Sequence, residues 1–151
     1  MFNKLILFLA TGGYAGYCPV MPGTVGTLWG IPLLLLMARF SLVVRGGALL
    51  LLTVIAVWLS SEAAKMLKEK DPSCIVIDEV IGFLVASLVI PVTALNIVFI
   101  FLLFRFFDIV KPFPVGLIDR KIGGGLGVVL DDVVAGLYGA VLFSLVALVL
   151  R

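Results

Sequence analysis

The stretch F104-RFFDIVKPFPVGLIDRKIGGGLGVVL-DD132 decides how the chain is read. It holds four of the nine acidic residues, Asp108, Asp119, Asp131 and Asp132, and four of the eleven basic ones, Arg105, Lys111, Arg120 and Lys121. Gly123, Gly124 and Gly125 sit among them, and the sequence on either side is almost wholly apolar. Charges wedged between apolar helices cost free energy unless they pair or bind something. The stretch is therefore the first candidate for a site. Asp78-Glu79 has the same character at the head of another apolar run.

The rest of the chain explains why these charges stand out. Of 151 residues, 63% are hydrophobic and 13% charged, against roughly 45–50% and 25% in soluble domains. The excess exceeds what one core can bury and points to an integral membrane protein. The length predicts a single domain, 1–151. A net charge of +2 with no basic patch interleaved with aromatics excludes nucleic acid as a partner. Cys18 and Cys74 have no CxxC partner and read as small apolar residues. The chain has no histidine, which removes histidine-based triads, histidine nucleophiles and haem ligation. Hydrolysis here must use carboxylates, hydroxyls, lysine, arginine or a metal.

Five apolar segments are expected: Leu28–Val44, Gly46–Ser61, Ile75–Ile90, Leu95–Phe107 and Leu126–Leu150. A short retained helix precedes them within residues 1–15, where the apolar run Leu5–Ala10 is too brief for a secretory signal. Each of the first two segments is at the lower limit of the roughly 17–25 residues that a span requires. Turns are expected at 39–46 and 91–95, with Thr93 or Asn96 as caps. The Pro/Gly-rich segment Gly16–Gly30 reads as an irregular loop, with Thr24 or Thr27 capping a helix that begins near Leu28. Such a turn offers backbone N–H groups to an anion.

Threaded alternately across a bilayer, the loops at 16–27, 62–74 and 108–125 share one side. That side carries Lys65, Lys68, Lys70, Arg105, Lys111, Arg120 and Lys121; the other carries Arg39, Arg45 and Arg151. The positive-inside rule then sets the acidic clusters at the cytoplasmic face. The expected architecture is an all-α integral membrane bundle of about five apolar helices plus a short N-terminal helix, with its site at the cytoplasmic interface.

Adjacent carboxylates repel or raise one another's pKa unless a cation lies between them. Magnesium takes oxygen ligands and typically binds through one or two carboxylates together with substrate phosphates. Asp78, Glu79, Asp131 and Asp132 are the candidate ligands, and Asp108 adds a carboxylate at the same level. Arg105, Lys111, Arg120 and Lys121 are suited to phosphate oxygens. This combination predicts phosphoryl chemistry on a lipid headgroup. Plainer readings stand beside it: Arg105 and Asp108, spaced i, i+3, can simply pair, and Asp119-Arg120-Lys121 reads as solvated loop. A competing class is a small transporter or channel subunit, whose carboxylates belong near the midplane on interrupted helices. Here they lie near helix ends. A headgroup transferase of the CDP-alcohol type is disfavoured, because DGxxAR is absent.

Three blocks in order, CPVMPGTVGT at 18–27, IDEVIG at 77–82 and FRFFDIVKPFPVGLID…GGGLGVVLDDVVAG at 104–136, resemble the phosphatidylglycerophosphatase A family. The resemblance implies an all-helical, magnesium-dependent phosphatase of the bacterial inner membrane, facing the cytoplasm. Its substrate is phosphatidylglycerophosphate and its product phosphatidylglycerol. The family's acidic positions fall on Asp78, Glu79, Asp108, Asp131 and Asp132. Its FR…D..KP.P segment falls on Arg105, Asp108, Lys111, Pro112 and Pro114, and its PGT.GT loop on Pro22, Gly23, Thr24, Gly26 and Thr27. The expected roles are Asp78, Glu79, Asp131 and Asp132 at the metal, and Asp108, Asp131 and Lys111 in catalysis. Arg105, Lys111, Thr24, Gly26 and Thr27 are expected on the phosphate.

Overall fold

A computed structural model describes residues 2–69 and 72–149. Lys70, Asp71, Leu150 and Arg151, which figure in the charge count and in the expected helix ends, lie outside the described residues. Among the described residues there are eight α-helices and a short 3-10 turn, and no strand. The helices are α1 (Phe2–Ala10), α2 (Pro22–Leu28), α3 (Gly30–Met37), α4 (Leu42–Leu67), α5 (Ile77–Ser87), α6 (Ala94–Val110), α7 (Val115–Lys121) and α8 (Gly124–Val149).

The expectation of five spans is corrected to two. Among the described residues, α4 and α8, each of 26 residues, are the two helices long and apolar enough to cross a membrane. Just 17% of the apolar window of α4 and 28% of that of α8 is buried within the protein. Their apolar faces therefore point outward, unlike the core helix of a soluble domain.

The expected segment Leu28–Val44 is interrupted twice. Pro32 lacks the N–H that would bond to the Leu28 carbonyl, and Trp29 instead donates to Gly26, so the chain divides into α2 and α3. A second break follows at Ala38–Ser41, and α4 starts on Ser41, whose hydroxyl accepts from the Val44 N–H. Gly46, expected at the end of the turn 39–46, lies with Gly47 inside α4 in open space. The helix then runs on through Glu62 and Lys65, which pair at 2.6 Å.

The third expected span is a buried core element. Helix α5 has 11 residues, eight of them buried, and its length of roughly 16 Å falls short of a hydrocarbon layer of about 30 Å. Phe83, Phe104 and Ile100 form the centre of the core around it. The cap Thr93 is observed, its hydroxyl accepting from the Asn96 N–H. Helix α6 extends three residues beyond its expected end and stops at Lys111, a left-handed cap (φ 45°) whose N–H donates to the Phe107 carbonyl, and Pro112 then cannot continue the helix. The expected loop 108–125 contains α7, anchored by the fully buried Val115.

Helix α8 packs against α4, α5, α6 and α7. Its approach to α5 is set by glycine. A Cβ at Gly136 would run into the Gly82 carbonyl oxygen, and a Cβ at Gly82 would lie 2.7 Å from the Asp132 carbonyl oxygen. Small residues of this kind let helix backbones touch. The contact places Asp132 directly beside the first turns of α5.

Candidate active site

The charged helix ends meet in one cleft of about 280 Å³. The start of α5 contributes Asp78 and Glu79, the end of α6 Arg105 and Asp108, and α8 Asp131 and Asp132. Lys111 reaches in from the α6 cap, and Met21, Pro22 and Gly23 form a rim from α2. Pro72 and Ser73 close another side.

Two of the five carboxylates are neutralised by local partners. Arg105 Nη1 binds Asp108 Oδ2, the i, i+3 pair foreseen in the sequence, and lies 3.8 Å from Glu79 Oε1. Lys111 Nζ donates to Asp131 Oδ2 at 2.7 Å and to Asp119 Oδ1 at 2.9 Å. Burial lowers the pKa of the Lys111 ammonium, but its hydrogen bonds to Asp131 and Asp119 outweigh this and hold it above the ordinary lysine value. The side chain stays charged.

What remains after these pairs is Asp78, Glu79 and Asp132. They converge, each offering one oxygen, with the three oxygens within 4.8 Å of one another. Asp78 is 7% exposed and Asp132 4%. Asp78 Oδ1, Glu79 Oε2 and Asp132 Oδ1 are buried without a hydrogen-bond partner. Across the cleft, five carboxylates face two cations, so three negative charges are uncompensated when all are ionised. Buried, converging, unpartnered carboxylate oxygens fit a hard divalent cation.

Other expected residues take different places. Asp131, predicted at the metal, points one oxygen at Lys111 and lies outside the trio, while its Oδ1 is buried and unpartnered. The expected capping hydroxyls are inside α2 rather than before it. Thr27 is fully buried and donates to the Gly23 carbonyl at 2.7 Å. Thr24 Oγ1 is buried without a partner. Gly26 packs on Val76, where a Cβ would collide. None of these three lines the cleft. Gly23 does, and a Cβ there would strike Glu79 Oε1 and stand 3.1 Å from Arg105 Nη1. The glycine is what allows α2 to close over the ion pair.

Asp119 is the addition. In sequence it reads as a solvated loop residue, yet it sits on α7 and holds Lys111. Pro114 at the head and Arg120-Lys121 at the tail are the helix signals that would have found α7 and folded Asp119 back over Lys111.

The phosphatidylglycerophosphatase A family model matches residues 8–147. The phosphatidylglycerophosphatase A of Escherichia coli is 37% identical over 138 residues, covering 87% of this chain and 77% of that protein. That of Haemophilus influenzae is 34% identical over 142 residues, covering 90% and 85%. A Bacteroides thetaiotaomicron protein provisionally named a phosphatidylinositol-3-phosphatase is 35% identical over 149 residues, covering 93% and 92%. No solved structure matches. With a family match from residue 8 to residue 147 and these relatives along most of its length, the chain belongs to the phosphatidylglycerophosphatase A family.

Proposed function

We propose that the protein is a magnesium-dependent phosphatase that hydrolyses phosphatidylglycerophosphate to phosphatidylglycerol and phosphate in bacterial phospholipid synthesis. The observation that carries this is the converging trio Asp78, Glu79 and Asp132, each with one buried oxygen that has no hydrogen-bond partner, beside Arg105 and Lys111. The family and the names of two relatives supply the substrate. The chain acts as one domain held in the bacterial inner membrane by α4 and α8. The excess of lysine and arginine at the cleft end directs the site to the cytoplasm.

Asp78, Glu79 and Asp132 would hold the cation. When bound there, it supplies Lewis-acid charge to the phosphoryl oxygens and to the attacking water. Arg105 presents its fork from the cleft wall and steadies the charge that develops on the phosphate. Its Nε, buried and unpartnered, is available to an oxygen. Lys111 adds a fixed positive charge, held on its far side by Asp119. Asp108, oriented by Arg105, aligns the water and takes its proton. Thr24, Gly26 and Thr27 act through the shape of α2, which brings Gly23 to the cleft.

Lys111→Ala is expected to lower kcat/KM by roughly 10²-fold, the scale of losing one charge-stabilising donor. Asp119→Asn, acting through Lys111, is expected to cost about tenfold, with Asp119→Glu recovering part of it. Steady-state phosphate release checks both. A loss with Asp119→Asn as large as with Lys111→Ala would contradict the positioning role.

The Bacteroides relative favours a second headgroup, inositol 3-phosphate. Phosphate release from phosphatidylglycerophosphate and from phosphatidylinositol 3-phosphate, measured side by side, separates the two. Faster turnover of the glycerophosphate lipid is expected; faster turnover of the inositide would overturn the substrate assignment.

A further inference from the structure

A second concavity, of about 610 Å³, lies on the other face of α5. Phe8, Trp29, Leu52, Ile55, Ile77 and Leu84 are among its walls, from α1, the α2–α3 junction, α4 and α5. Trp29 and Ile55 are 52% and 39% exposed, so the groove is open along its flank. Helix α4, one of its walls, has the length and composition of a membrane span, so the open flank faces the lipid side.

The groove and the cleft are joined by two elements. Along α5, Ile77 lines the groove while Asp78 and Glu79 line the cleft. Along α2, Pro22 and Gly23 line the cleft, Gly26 packs on Val76, and Trp29 lines the groove. From Gly23 to Trp29 the helix advances roughly 9 Å, a distance that the headgroup can span, since a glycerol and a phosphodiester stand between its terminal phosphate and the acyl-bearing glycerol. Gly12, on the groove wall, lets the chain pass close to α2 and the start of α5, where a Cβ would stand 3.0 Å from Val76 Cγ2 and 3.5 Å from Trp29 Cδ1.

We infer that this groove binds one acyl chain of the lipid whose phosphorylated headgroup occupies the cleft. The inference rests on the phosphatase reading for the headgroup and adds the place where the substrate's apolar part is held. The headgroup glycerol and the phosphodiester cross the α2 edge, with Gly23 on the terminal-phosphate side and Trp29 beside the chain. Anchoring at both ends fixes the phosphoryl group against the carboxylate trio, which is the positional control that turns binding into rate.

The test fills the groove from its open side. Ile55→Trp, at a half-exposed position, is expected to raise KM for diacyl phosphatidylglycerophosphate at least tenfold. It should leave kcat/KM on the deacylated glycerol-phosphate headgroup unchanged. Leu51→Trp, on the same helix at a 62% exposed position outside the groove, should change neither. Equal effects of Ile55→Trp on both substrates, or no effect on either, would overturn the groove. A direct readout keeps the two readings apart. In Trp58→Phe protein, Trp29 emission should be quenched saturably by phosphatidylglycerol with a brominated chain. Brominated phosphatidylcholine should quench only in proportion to its amount. Equal quenching by the two lipids would mean ordinary lipid contact and would overturn the proposal. If the wild-type protein hydrolyses neither substrate, the phosphatase reading fails, and the quenching result still decides the groove.

Discussion

Asp132→Asn is expected to lower kcat on phosphatidylglycerophosphate by roughly 10²–10³-fold, the range for removing one preorganised electrostatic contact in a dry site. Glu79→Gln should do the same. Both side chains belong to the trio that no lysine or arginine neutralises at hydrogen-bond distance, and each has an oxygen that is buried and unpartnered. Neutralising one of them relieves charge repulsion, so the folded state should survive, and thermal unfolding in detergent would confirm that the loss is chemical. Asp131→Asn is the informative contrast. It removes one of two carboxylates from Lys111 while Asp119 remains, and the activity loss should be smaller. Asp132→Asn protein that keeps more than half its turnover would remove the trio from the reaction.

Gly82→Ala should damage both stability and rate. The added methyl would meet Phe104 Cε2 at 2.5 Å and the Asp132 carbonyl oxygen at 2.7 Å. A backbone oxygen cannot rotate away, so α8 must shift relative to α5. Overpacking of this kind costs about 1–3 kcal/mol. Because the atom displaced belongs to Asp132, turnover should fall more than tenfold even in the fraction that remains folded. Gly136→Ala, pressing on the Gly82 carbonyl from the other side, should lower Tm in the same direction. By contrast, Gly46→Ala and Gly47→Ala, in open space on α4, should be neutral or stabilising, since alanine is the better helix former by roughly 1 kcal/mol. Unchanged Tm and rate in Gly82→Ala would contradict the close α5–α8 approach.

The contrast between these glycines shows what was legible in the sequence. Gly46-Gly47 and Gly82 look alike in composition, and only the packing partner distinguishes them. The convergence of Asp78, Glu79, Asp108 and Asp132 was readable, because each lies near a helix end and alternating helices bring those ends together. The Thr93 cap was readable from purely local chemistry. The number of spans was not. An apolar run such as Ile75–Ile90 has the same composition whether lipid or protein surrounds it, and α5 is enclosed by the protein's own helices. The prolines in Gly16–Gly30 suggested a loop, but Pro22 occupies the first turn of α2, where its missing N–H costs nothing. The division of the carboxylates was equally hidden. Asp131 and Asp132 are neighbours in sequence, yet one faces Lys111 and the other the trio, a distinction set by their angular positions on α8 and by a lysine twenty residues away.

In the proposed function the carboxylate trio holds a divalent cation on which hydrolysis depends. Phosphate release from phosphatidylglycerophosphate by purified protein, first stripped with chelator and then titrated with magnesium, tests it most directly. Release should fall to background in the stripped protein and return saturably with magnesium, and Asp132→Asn protein should fail to recover at the same concentrations. Full turnover by stripped protein in excess chelator would contradict it.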